Sequence, residues 1–288
     1  MVTRIALVQQ EAEKDRRVNT ERGLAAVREA AGRGARLVAF PELAFTPFFP
    51  QRPACGPPPL ELAEEVPGPT TEAFSGLAKE LGVVIVLNLY ERVGDCAFDS
   101  SPVIDADGRL LGVTRMLHIA EMPAFHEQGY YAPGDLGMPV YATAAGRLGV
   151  AICYDRHYPE VMRALALRGA ELVVVPQAGA VDEWPEGLFE AEMRVAAFQN
   201  GYFTALANRV GREELLEFAG GSFVCDPQGR VIARAPAGEG YILYADCDLA
   251  AVANSPARRL FLRDRRPELV PALLCLDDER WDISDRTR

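Results

Sequence analysis

Two stretches of the chain repeat one another: Arg33-Gly-Ala-Arg-Leu-Val-Ala-Phe-Pro41 and Arg168-Gly-Ala-Glu-Leu-Val-Val-Val-Pro176. Each reads as a helix end, a glycine cap and an apolar strand stopped by proline. The turn signals Asp105-Ala-Asp-Gly108 and Asp226-Pro-Gln-Gly229, each followed by arginine, echo one another as well. Two similar layers set face to face give such pseudo-symmetry, with sheets inside and helices outside. The expectation is an α/β protein built as an α-β-β-α four-layer sandwich.

Outward from these stretches the pattern continues. Residues 3–8 suit a buried strand, and Asn19-Thr-Glu21 a helix start. Leu24, Ala25, Val27 and Ala31 give that helix an apolar face, and Gly32 and Gly34 stop it. A second helix fits 70–81, closed by Gly82, before a strand over 83–87. Another strand covers 148–152, and Pro159 opens a helix reaching about Arg168. One domain is expected over 1–265. The remaining 266–288 form a charged, proline-bearing tail with an apolar patch over 269–276, suited to packing on a partner subunit.

The 288 residues are 49% hydrophobic and 25% charged, ample for a core. The net charge of −11 repels phosphate backbones, so nucleic acid is not the expected partner. No apolar run approaches the roughly 18 residues of a membrane span. The first residues read as a strand instead of a signal peptide, which suits a cytoplasmic protein. Cysteines at 55, 96, 153, 225, 247 and 275 include no Cys-x-x-Cys pair, and histidine is limited to 118, 126 and 157. Neither a structural zinc site nor a disulfide framework is indicated. Lysine occurs only at 14 and 79, against 28 arginines.

Three residues stand out for chemistry. Cys153 follows the apolar Gly149-Val-Ala-Ile152 and precedes a helix start near Pro159, so its thiol sits in a strand-to-helix turn. That position favours thiolate and offers oxyanion donors. Taken alone, it suits a buried structural cysteine better. Glu42, in Phe-Pro-Glu-Leu43, lies just past a strand end, where ligands of open α/β sheets collect. Glu127 sits among aromatics in Phe125-His-Glu-Gln-Gly-Tyr-Tyr131.

With Arg-x-x-His118-Ile, Glu127-x-x-Tyr-Tyr-x-Pro-Gly-Asp135, Ile-Cys153-Tyr-Asp-Arg-His-Tyr-Pro-Glu160, Asn208-Arg-Val-Gly211 and Gly221-Ser-Phe-Val-Cys-Asp-Pro-Gln-Gly229, these segments resemble the carbon–nitrogen hydrolase (nitrilase-like) family. The late Phe261-Leu-Arg-Asp-Arg-Arg-Pro-Glu-Leu269 looks like its carbamoyl-amide-cleaving branches. The resemblance implies a hydrolase of amide or N-carbamoyl groups, needing no metal or organic cofactor and acting on a small molecule. Cys153 would attack the carbonyl carbon and form a thioester-type intermediate. Glu42 would be the general base, and Glu127 would position substrate and catalytic groups. A homodimer or larger homo-oligomer is implied too.

One position departs. The family's catalytic lysine stands two residues before the histidine matched by His118, and here that residue is Met116. The protein would then be a silenced relative that binds a ligand, or Arg115 or another arginine would reach the site. A third reading is a recent or introduced change, since lysine and methionine codons differ at one base. Arg156, beside His157 and Tyr154, resembles the arginine with which some branches read the carboxylate of an N-carbamoyl amino acid. These three are the expected substrate-binding residues. An acyl transferase using the same thioester is a further alternative.

Overall fold

The strand Leu37–Ala39 shows how the layers arise. Side chains alternate along a strand. Leu37 and Ala39 enter the apolar layer between two sheets, and Val38 enters a second layer under helices. The strand Leu172–Gln177 repeats the arrangement: Leu172 and Val174 face the inter-sheet layer, Val173 and Val175 a third apolar layer. Both strands are buried on both faces, which is why they read as unbroken apolar runs.

The computed structural model describes residues 2–270. One sheet runs in the order Tyr241–Asp248, Val2–Gln9, Leu37–Ala39, Val84–Val86, Cys96–Ile104 and Leu89–Val93, with Leu110–Arg115 also paired to Cys96–Ile104. The other runs Val231–Arg234, Phe223–Cys225, Phe203–Asn208, Leu172–Gln177, Gly146–Val150 and Val140–Thr143. Each has three parallel central strands and antiparallel flanks. Helices Arg16–Gly32 and Pro69–Leu81 cover the first sheet through Val27, Phe74 and Leu77. Helices Pro159–Leu167 and Leu188–Asn200 cover the second through Val161, Leu165, Met193 and Ala197. The four-layer sandwich is therefore the fold.

The repeated caps match in detail. Gly34 and Gly169 take φ of 84° and 88°, a region open to glycine at little cost. The following alanines reach back alike, Ala35 N–H to Ala30 O and Ala170 N–H to Leu165 O, both 3.0 Å. The first helix, however, begins at Arg16 and not at Asn19. Asp15 is its cap, accepting from Arg17 N–H at 2.8 Å. Asn19 is buried instead and donates to the carbonyls of Glu13 (2.7 Å) and Phe45 (3.0 Å). Beyond Val270, the tail expected over 266–288 and its apolar patch lie outside the described residues. Among the described residues no helix is long and apolar enough to cross a membrane.

Candidate active site

Glu42 follows the strand Leu37–Ala39 of one sheet, and Cys153 follows Gly146–Val150 of the other. Both lie past the carboxyl ends of central parallel strands, and the closed sandwich brings them together. The main chain is strained on both sides of the meeting point. Cys153 has φ 40° and Leu43, next to Glu42, φ 44°. Few side chains adopt that region, and it persists only where surrounding structure enforces it. Asn88 enforces it at Leu43, accepting from the Leu43 N–H at 2.6 Å.

Cys153 opens the short turn Cys153–His157. Asp155 anchors that turn across the site. Its carboxylate accepts from Leu117 N–H (3.0 Å), His118 N–H (3.0 Å) and, at 2.8 Å, faces His118 Nδ1. The His118 ring stacks on Tyr158 at 3.4 Å between centroids. Glu127 is fully buried in the turn Glu127–Gly129. It is tied to Ala120 twice, by main-chain N–H to O at 3.1 Å and by Ala120 N–H to Oε2 at 3.2 Å.

The electrostatics are those of a dry, acidic centre. Burial, and then the nearby Glu127, push the Glu42 carboxyl up to about 8. Burial pushes Glu127 well above the carboxylate range, with Asp99 adding to it. Asp99, fully buried, is raised well above as well, by burial and by Glu42. The Cys153 thiol is also raised well above its usual value, by burial first and by Glu42 second, with Arg156 opposing. Burial thus opposes the thiolate that the strand-to-helix turn would favour, and the Cys153 thiol lies beside the Glu42 carboxyl. Asp99 and the thiol both draw Glu42 partly back down. Yet neither Glu42 oxygen accepts an aligned bond from a donor fixed by the fold.

The expected binding residues lie beside the nucleophile in unequal settings. Arg156 is 4% exposed and donates to Cys153 O and Gln177 Oε1, both at 2.8 Å. Its guanidinium lies over the Phe189 ring and 3.2 Å from Glu192. Both of its hydrogen bonds come from Nη1, whereas Nη2 is buried without a hydrogen-bond partner. His157 Nδ1 pairs with Glu192, and its ring meets Tyr154 and Trp184 edge-on. Met116 is buried at 1% exposure in the apolar layer that also holds Cys153 and Tyr131.

Arg115 does not replace a lysine. Strand alternation turns it away from Met116, and Glu91 holds it bidentately at 2.8 and 2.7 Å. Asp135 takes a third bond at 2.7 Å. Lys14 and Lys79 are exposed. Arg209, fully buried, spends its guanidinium on the carbonyls of Glu42, Leu43 and Thr46 and on Glu213. Asp99, Asn88 and Asp155 are the site residues that sequence reasoning missed. The first two are polar positions in apolar surroundings, a weak signal; Asp155 stands two residues after the nucleophile and was within reach.

Residues 4–257 match the family described as carbon-nitrogen hydrolase. The chain is 36% identical over 265 residues to an N-carbamoylputrescine amidase of Solanum lycopersicum, covering 87% of this chain and 88% of that one. A carbon-nitrogen hydrolase structure from Helicobacter pylori G27 superposes with TM-score 0.87 at 31% identity, covering 95% and 99%. A glutamate-to-glutamine variant of an amidase from Nesterenkonia sp. AN1 superposes with TM-score 0.79 at 27% identity, covering 94% and 97%. That structure carries the acetamide moiety of fluoroacetamide bound covalently at its active-site cysteine.

Proposed function

Because the chain belongs to the carbon-nitrogen hydrolase family, we propose that it hydrolyses a terminal amide or N-carbamoyl group through a covalent intermediate on Cys153. The observation that carries this reading is the fully buried Glu42 carboxyl set against the Cys153 thiol. Glu42 takes the thiol proton as sulfur bonds to the carbonyl carbon. The proton then passes to the departing nitrogen, which leaves as ammonia. Water, deprotonated by Glu42, attacks the thioester or thiocarbamate, and the sulfur recovers its proton. An N-carbamoyl substrate thereby yields a carbamic acid, which falls apart to amine and carbon dioxide. Glu127 holds the reacting group in place.

The substrate tail is a separate matter. Arg156 spends Nη1 on Cys153 O and Gln177 and has the Glu192 charge beside it, which suits holding the nucleophile turn, while its buried Nη2 has no partner and remains a donor for a substrate. Glu183 is a further acidic group in the field of Cys153 and Glu127, its carboxyl pushed up by burial. These acidic groups favour an uncharged or cationic tail, in keeping with N-carbamoylputrescine, whose far end is an amine. The test is ammonia release from a panel of N-carbamoyl amines, N-carbamoyl amino acids and simple amides, with Cys153→Ala as control. Release from N-carbamoyl amines that vanishes in the control supports the reading; preference for carboxylate-bearing members returns Arg156 to substrate binding. Met116 favours a second reading, a silenced homologue that only binds. No release by the protein, with release gained in Met116→Lys, would establish it.

A further inference from the structure

Asp99 has no part in the steps above. It stands mid-strand in Cys96–Ile104, fully buried, within hydrogen-bonding reach of Glu42. Its Oδ1 accepts from Asn88 Nδ2 at 2.6 Å. The Asn88 orientation is fixed, because its oxygen is needed by the Leu43 N–H. Asn88 therefore holds Asp99 on one hand and the residue beside Glu42 on the other.

The remaining acceptors nearby are orphaned. Asp99 Oδ2, both oxygens of Glu42, Glu127 Oε1 and the Tyr131 hydroxyl are buried without partners. Among the described residues no lysine or arginine side chain donates to these carboxyls, and no group of acidic side chains could hold a metal ion. Two ionised carboxylates side by side in a dry site repel strongly, whereas one shared proton turns repulsion into a short charge-assisted bond. The surroundings say which partner keeps the proton. Glu42 has the Arg209 charge and the Cys153 thiol to favour its ionised form, while Asp99 faces Asp155 as a further negative charge. Glu127 and Tyr131 complete the groups facing the pair, with Arg156 behind Cys153.

We infer that Asp99 is a positioning residue that works in its protonated form, donating from Oδ2 to the Glu42 carboxylate and so easing ionisation of the base and aiming it at Cys153. A neutral acid thereby does what a cation at position 116 would do. The proton stays on Asp99; the one that Glu42 moves comes from the thiol. The inference rests on the reading of Glu42 as the base for Cys153.

The test follows iodoacetamide labelling of Cys153 against pH in the full chain, read by mass spectrometry on the Cys153 peptide because Cys55 and Cys96 are exposed. Labelling needs no known substrate. Asp99→Leu removes the donor; Asp99→Val, suited to a strand, takes its place if the first does not fold. Labelling at pH 7.5 should fall at least tenfold and its rise should move to higher pH. Asp99→Asn, whose amide N–H keeps a donor that does not titrate, should rescue the rate to within about fivefold of the parent. Two outcomes overturn the inference: Asn and Leu variants that behave alike, or an Asn variant whose rise moves more than one pH unit downward, the mark of a charged Asp99. An unchanged profile in Glu42→Gln would instead remove Glu42 as the base, a separate failure.

Discussion

In the proposed reaction a single carboxyl sets the pH at which the chemistry can start. Glu42 is pushed up to about 8 by burial and by Glu127, and it accepts a proton only when ionised. kcat/KM should therefore rise with pH through about 8, where an ordinary glutamate would already be spent as a variable by pH 6. Met116→Lys introduces a cation among the carboxyls, so the rise should move to lower pH, by one pH unit or more. Its position in both proteins checks the point. Glu42→Gln should cost at least about 10³-fold in kcat, as expected for loss of a base. Cys153 and Glu42 stood out in the sequence through the joined motifs that resemble the family; alone, a cysteine after a strand and a glutamate past one read as ordinary. Asp99 did not stand out, since an acid in the middle of Phe98-Asp-Ser-Ser101 looks like the polar side of a strand until the partner sheet closes over it.

Elements are joined by a few buried charges. Arg115 of the strand Leu110–Arg115 ties Glu91 of Leu89–Val93 to Asp135. Arg115→Ala leaves Glu91 buried and unpaired, and should destabilise the fold by about 3–5 kcal/mol. The denaturant midpoint measures this. The pH at which Cys153 labelling rises should stay put, because Arg115 serves the strands and not the base. Asp155→Ala strips partners from the Leu117 and His118 N–H groups, and should cost about 2–4 kcal/mol in the same assay. The helix Leu188–Asn200 escaped sequence reading for a physical reason. Its outer face carries exposed Val195 and Phe198, so its apolar residues do not gather on one side. The helix Pro69–Leu81, with a proline start, a Gly82 stop and buried Phe74 and Leu77 opposite exposed Lys79 and Glu80, announced itself.

Across the whole molecule the buried acids oppose folding at alkaline pH. Glu42, Asp99 and Glu127 bind protons more tightly folded than unfolded. Between the ordinary carboxyl range near 4.5 and about 8, the folded chain holds the extra protons, so stability falls as pH rises. Tm should be higher at pH 6 than at pH 8.5, and Met116→Lys should flatten that slope. A thermal scan of both proteins across this range decides it; equal slopes would show that position 116 is not coupled to the carboxyls.

The doubled arrangement of the chain carries one more consequence. Counting along the two copies, Arg33 to Pro41 and Arg168 to Pro176, the residue after each proline is Glu42 in one and Gln177 in the other. Both are fully buried, and both reach Cys153, Glu42 on its sulfur side and Gln177 through Arg156, which bonds to the Cys153 carbonyl. The same seat holds an acid on one side of the twofold and its uncharged amide on the other. Under the proposed function, such a doubled scaffold divides its labour: one half would move the proton, and the other would keep the nucleophile still.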